Sequence, residues 1–425
     1  MVMAGRRVRP TAFVSGLPGA TSKTFNVTGN RIALALIVVA VLYNAILAAL
    51  VARGITLGYS SVAAVEVIIT FGCLGLSLST GISGRDVMPL ALLWFIGALA
   101  LVASISFDQV YIGSIRNFAL ITVFSMLGQR MDYKFIRRAF FIASTMTLVV
   151  LIWEITSVES YAAFFSPARY YELTRGTARN EFDDSGLSVG TIVFEGRFSL
   201  GLFSGRRTSS IFLEQVSINS YAIVCMAFLN GSWLRLNWKE KAIQISTIGL
   251  IIASNNARMG ALMCILMPIG YFIFPWINRN IVLAIPFIIV GAIFALGSHL
   301  QNAVGDDLTG RLGVTYRLLN TFNLSEIIAG NPLKVEKTFD SGYAFILASI
   351  GLFGGFVYLL FLTYYPRYGS EEQRRGSWSA AIYILAWLTV GGTATFSIKT
   401  AALLWSFIAC LSKLPSSDLT KQVSR

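Results

Sequence analysis

Long apolar runs dominate this chain and leave little polar sequence between them. They cover residues 32–52, 60–81, 87–107, 111–128, 139–158, 211–230, 238–254, 258–276, 281–298, 341–365, 379–396 and 398–412. A hydrocarbon core needs about 20 apolar residues per helical crossing. Strands of a membrane barrel would alternate rather than run on. The pattern therefore predicts an all-α, polytopic integral membrane bundle of about twelve transmembrane helices over residues 31–412. Two intervals are far longer than the rest, about 159–210 and about 299–340. Residues 1–30 read as a disordered tail, and 413–425 as a second, short tail.

Charge sets the orientation. Cytoplasmic loops of membrane proteins carry an excess of Lys and Arg. With the N-terminus in the cytosol, about twenty basic residues of tails and short loops fall inside, against three outside (Arg53, Arg258 and Lys399). Both termini are then cytosolic, and the two long loops lie on the outer side. The net charge of +13 is on this reading a topology signal rather than a nucleic-acid surface. Only 13% of residues are charged and 55% are hydrophobic, whereas soluble domains carry about 25% charged residues.

The four cysteines (Cys73, Cys225, Cys264 and Cys410) sit inside apolar runs without metal-ligand spacing. A single histidine, His299, leaves no room for a histidine metal cluster. Neither a phosphate-binding glycine loop of the Walker type nor a dinucleotide-binding glycine pattern occurs, so no nucleotide cofactor is expected.

What stands out is cationic side chains held on the outer side. Arg206 and Arg207 close the first long loop, and Arg311 and Arg317 lie in the second. Arg258 opens an outer hairpin, and Arg116 lies one to two turns inside the fourth crossing. Arginine grips phosphate bidentately and stays charged at any accessible pH. Arg116, Arg207, Arg258, Arg311 and Arg317 are thus candidates for binding a pyrophosphate at the membrane surface. Each has a plainer alternative. Arg116 would snorkel to the interface, and Arg311 would pair with Asp307 one turn away. Arg311 and Arg317 are six apart, so they share a ligand only if the segment bends, which Gly313 would allow.

Two carboxylates could take a proton from a sugar hydroxyl, Glu214 at the start of the sixth crossing and Asp340 at the start of the tenth. Their plainer alternatives are a first-turn carboxylate or ion pair with Arg207 for Glu214, and a helix cap for Asp340. The first long loop also carries many aromatics, among them Tyr161, Phe165, Tyr170 and Tyr171, which would suit stacking against sugars.

The order GRRTSSIFLEQVSINSYA, ASNNARMGALM, LTGRLGVTYRLLNTF and DSGYAFILASIGLFGGFVYLL resembles the Wzy-type polysaccharide polymerases and the related O-antigen ligases. Length and the early first loop are most similar to xanthan-type exopolysaccharide polymerases. The resemblance spans about residues 31–412 in architecture, with short motifs. It implies a GT-C-like glycosyltransferase of the bacterial inner membrane. It also implies transfer of a growing glycan from undecaprenyl pyrophosphate to a new lipid-linked repeat unit at the periplasmic face. Lipid-linked oligosaccharides are the implied substrates, with a flippase and a chain-length-determining co-polymerase as partners, and neither metal nor nucleotide sugar. O-antigen ligases carry a histidine where this chain has Asp340, which favours polymerase over ligase. A flippase of lipid-linked sugars would instead show internal repeats and charges near the midplane.

Overall fold

A computed structural model describes residues 24–109, 112–178, 181–187, 191–192, 203, 206–303, 305, 308–391 and 393–414. Among them every regular element is a helix, apart from one isolated bridge between Ile192 and Arg206. In chain order the first half forms α1 (Val27–Ala52), α2 (Tyr59–Leu78), α3 (Val87–Phe107), α4 (Ile112–Arg130) and α5 (Tyr133–Thr156). Two short helices follow, α6 (Val158–Phe165) and α7 (Pro167–Arg175). Then come α8 (Gln215–Ser232), α9 (Trp238–Asn255), α10 (Arg258–Ile273) and α11 (Ile281–Ala295). The second long loop holds α12 (Gly297–Leu300), α13 (Leu308–Leu319) and α14 (Leu324–Ala329). The chain ends in α15 (Gly342–Tyr364), α16 (Glu371–Trp387) and α17 (Ile398–Lys413).

Each of the twelve apolar runs overlaps one of the longer helices. Six are long and apolar enough to cross a membrane: α1, α2, α3, α5, α10 with its 3-10 extension to Trp276, and α15. The rest fall short for a physical reason. α17 has only 16 residues, about 24 Å of helix, and α11 has 15. α4, α8, α9 and α16 carry polar residues that inner helices tolerate because their neighbours screen them. α2 and α3 show the opposite pattern. Val67, Ile68, Phe71, Trp94, Leu101 and Ile105 are exposed along them, an apolar surface suited to lipid.

α17 is the axis of the molecule. It is buried from Ile398 to Ser412 and packs against α4, α8, α1 and α5. Its closest neighbour is α4, and Gly128 makes that contact possible. A Cβ there would sit 2.2 Å from the Ser406 carbonyl oxygen, far inside van der Waals contact. Gly351 breaks the regularity of α15, with φ at 64°. The end of α14 packs into that kink, and the Asn331 amide donates to the Ala348 carbonyl at 2.8 Å.

Three boundaries differ from the sequence reading. The sequence predicts a disordered tail through residue 30, yet α1 begins at Val27. Asn26 accepts from the Gly29 amide at 2.7 Å, and the buried Asn30 donates to the Phe25 carbonyl at 2.9 Å; residues 1–23 of that tail lie outside the described ones. α16 begins eight residues before the apolar run at 379, because Ser370 and Gln373 form a reciprocal cap around a polar first turn. It ends at Trp387, and a short 3-10 turn at Ala394–Phe396 leads into α17. The long loops also hold structure. α7 starts at Pro167, whose fixed φ suits a first turn, and α13 carries its apolar positions on one side. Of the C-terminal tail, Lys413 belongs to α17, while 415–425 lie outside the described residues.

Candidate functional site

The starts of α4, α8, α10, α13 and α17 gather at one end of the bundle and surround a cavity of about 780 Å³. Its wall holds six cations, Arg116, Arg175, Arg207, Arg258, Arg311 and Lys399, against three acids, Glu66, Glu214 and Asp340. An excess of three positive charges in a partly desolvated cleft favours an anionic ligand.

Each cation is set by local structure. Arg207 lies in a stretch stitched onto the end of α9. Thr208 Oγ1 and Ser254 Oγ lie 2.7 Å apart, and Asn255 Nδ2 donates to the Thr208 carbonyl at 2.6 Å. Arg207 itself donates from Nε to the Asn255 carbonyl at 2.8 Å. Asn256, in the left-handed region at φ 53°, turns the chain so that Arg258 becomes the first residue of α10 beside it. Glu154 fixes the same stretch from below. This buried α5 carboxylate accepts from the Ser209 and Ser210 amides at 3.0 and 2.6 Å and from the Ser209 hydroxyl at 3.1 Å.

Arg116 does not stand alone. Its Nε and Nη2 donate to Glu66 Oε2 at 2.8 and 2.5 Å, and Tyr43 donates to the other carboxylate oxygen at 2.5 Å. Arg311 pairs with Asp340 at 3.1 Å; the alternative partner Asp307 lies outside the described residues. Asp340 is not the cap of α15. Ser341 takes that place, accepting from the Ala344 amide, which leaves Asp340 in the turn with 73% of its side chain exposed.

Glu214 does not pair with Arg207. It forms ion pairs with Arg175 and with Lys399, the latter at 3.6 Å, and accepts from Ser217 at 2.6 Å. A carboxylate committed to two cations and a hydroxyl has little capacity left to take a proton. Lys399 is buried and also donates to the Phe212 carbonyl at 3.1 Å. Burial opposes the charge of Arg175, but the Glu214 carboxylate holds its guanidinium above the ordinary value.

Arg317 lies away from the cavity. α13 runs as one regular helix through Gly313, so a spacing of six puts Arg317 on a different face from Arg311. Its guanidinium donates to the Gln301 and Ala303 carbonyls at 3.1 and 3.0 Å and ties α13 to the preceding turn. Arg206 likewise serves structure, in an ion pair with Asp183 at 2.5 Å. His299 is exposed on α12, outside the cavity wall. Tyr161, Phe165, Tyr170 and Tyr171 are buried in packing; the cavity aromatics are instead Tyr43, Phe339 and Trp387.

Four residues of the wall escaped the sequence reading. Glu66 carried a usable signal, an acid inside an apolar run, which in a membrane helix marks a functional position by default. In the sequence Lys399 is only an outer cation, and Arg175 is only one of several arginines in the first long loop. Trp387 gave no signal; its indole Nε1 is buried and meets no acceptor among the described residues. Donors of this kind are normally paired, so this one can serve an oxygen of a ligand. Val216, Leu262, Leu308 and Phe339 also line the cavity, each 43% to 52% exposed. They give its mouth an apolar rim beside the guanidinium groups.

No protein-family model, curated protein or solved structure matches this chain.

Proposed function

We propose that this chain polymerises lipid-linked polysaccharide repeat units, as a GT-C-like glycosyltransferase of the bacterial inner membrane. In this reading the chain crosses the membrane twelve times, both termini are cytosolic, and the cavity opens at the periplasmic face. A growing glycan passes from undecaprenyl pyrophosphate to the non-reducing end of a new undecaprenyl-pyrophosphate-linked repeat, as in exopolysaccharide or O-antigen synthesis. A flippase would supply the new units, and a co-polymerase would set chain length.

The observation that carries the reading is the cationic cavity with an apolar rim. A lipid pyrophosphate needs both, guanidinium groups for the anion and an apolar flank for the polyprenyl chain. Arg207, Arg258 and Arg311 would grip the pyrophosphate. In the transfer, a sugar hydroxyl oxygen attacks the anomeric carbon of the donor glycan. The bond from that carbon to the pyrophosphate oxygen breaks, and the pyrophosphate leaves with the electron pair. Cations already in place stabilise the charge as it develops. The hydroxyl proton goes to Asp340, exposed at the cavity wall and held by Arg311. Glu214 serves as an organising charge between Arg175 and Lys399. Trp387 and Phe339 offer a donor and an apolar face to the sugars.

The test is reconstitution. The purified protein in lipid nanodiscs, given a synthetic undecaprenyl-pyrophosphate-linked repeat, should yield a ladder of products, and Arg258→Ala should not. A ligase has the same donor chemistry but needs another acceptor, so an active preparation that forms product only with an added acceptor would overturn the polymerase reading.

A further inference from the structure

The opposite end of the bundle holds a second, smaller cationic site. The ends of α4, α15 and α17 meet the turn before α3 there and enclose about 140 Å³ lined by Arg85, Gln129, Tyr365, Arg367 and Ser412, among others. That volume is well below the roughly 300–1,000 Å³ of drug-sized pockets. It suits a single small group.

Its two cations lack acidic partners among the described residues. Asp86, next in the chain to Arg85, gives both oxygens to the buried Arg130, at 2.9 and 2.7 Å. Glu371 and Glu372 pair with Arg375 and Arg235. Arg367 is placed by its own backbone, whose amide donates to Ser412 at 3.1 Å. Arg85 is placed by its carbonyl, which accepts from Gln129 Nε2 at 3.1 Å. Burial, and then the like charge of Arg367, holds the Arg85 guanidinium below its ordinary value. Two guanidinium groups that repel each other across a small cleft are a standing demand for an anion. The start of α3 adds its positive end to the same place.

We propose that Arg85 and Arg367 bind one phosphoryl anion, with a planar guanidinium fork on each side of it. The group could belong to a phospholipid headgroup or to free phosphate. Ile82, Val87 and Tyr364 expose apolar surface beside the cleft, so acyl chains could run along it. This site is separate from the 780 Å³ cavity and does not depend on what that cavity binds.

The test is a titration of the detergent-solubilised full chain, followed by its thermal unfolding midpoint. One arm uses dihexanoyl phosphatidylglycerol, a second dihexanoyl phosphatidylcholine, and a third inorganic phosphate. A lipid site predicts a saturable rise with phosphatidylglycerol at concentrations where phosphate does nothing; a free-phosphate site predicts the rise with phosphate as well. In Arg85→Gln and in Arg367→Gln the half-maximal concentration should rise about tenfold or more, the worth of one charge-assisted contact. Lys239→Gln, an exposed cation at the same end, should titrate like the parent. Should the glutamine variants fail to insert, Arg85→Lys and Arg367→Lys keep the charge without the fork and should still weaken the response. A parent protein that responds to neither anion overturns the proposal. So does a response that Lys239→Gln weakens as much as the arginine variants do.

Discussion

Replacing Glu214 by glutamine separates its two possible roles. Glu214 lies 3.6 Å from the ammonium of the buried Lys399. At an effective dielectric of about 20 that separation corresponds to about 4–5 kcal/mol of attraction before desolvation is counted. Removing one partner of a buried pair typically costs about 3–5 kcal/mol, because the other charge is left uncompensated. The contact with Arg175 adds little, since that side chain is 52% exposed, and exposed pairs contribute about 0–1 kcal/mol. Glu214→Gln should therefore destabilise the protein by about 3–5 kcal/mol. The double variant Glu214→Gln with Lys399→Met should recover most of that loss, because neither charge is then buried alone. The assay is a double-mutant cycle on unfolding in detergent, with product formation measured on each variant. Two stability losses that simply add would refute the pairing. A well-folded Glu214→Gln with no activity would return Glu214 to the role of proton acceptor.

Arg207→Ala, Arg258→Ala and Arg311→Ala should each weaken lipid-pyrophosphate binding by about 1.5–3 kcal/mol, and lysine should rescue poorly; Arg317→Ala should leave that binding intact, as a titration of each purified variant would show. Protease protection of the first long loop should fail in acid. Burial raises the affinity of Asp183 for protons, but the bonds from Ser185 and Leu187 and the charge of Arg206 outweigh it and hold its carboxyl below the ordinary value. A depressed carboxylate adds stability above its unfolded value and loses it as pH falls. Tryptic cleavage in this loop, read on samples pulsed at each pH, should thus hold steady down to about pH 4 and rise below it, with Asp183→Asn removing the step. Reporter fusions after Gly305 and after the C-terminus should mark opposite sides of the membrane, and a common side would sink the topology.

Much of the frame was legible in the sequence, because burial in lipid and burial in protein both select apolar runs. Each run overlaps one long helix, yet hydropathy alone could not tell a largely exposed helix such as α3 from a protein-enclosed one such as α17. The site was legible in part. Arg116, Arg207, Arg258, Arg311, Glu214 and Asp340 do line one cavity, since outer cations near helix starts converge when those helices pack side by side. Pairing was not legible. Glu66 meets Arg116 across 50 positions, and Lys399 approaches Glu214 across 185. Contacts at such separations depend on how helices pack, which local spacing does not report. Arg317 failed for the reverse reason: a glycine permits a bend without requiring one, and α13 stays straight.

Extracted lipids from a strain lacking this protein test the central claim most directly. Mass spectrometry reads the length of the glycan on undecaprenyl pyrophosphate, and a membrane-impermeant periodate treatment reads its side. The account predicts single repeat units that are open to periodate, because units are still made and flipped but no longer joined. Long lipid-linked chains would instead indicate a missing ligase, and single units protected from periodate a missing flippase; either result would contradict the account.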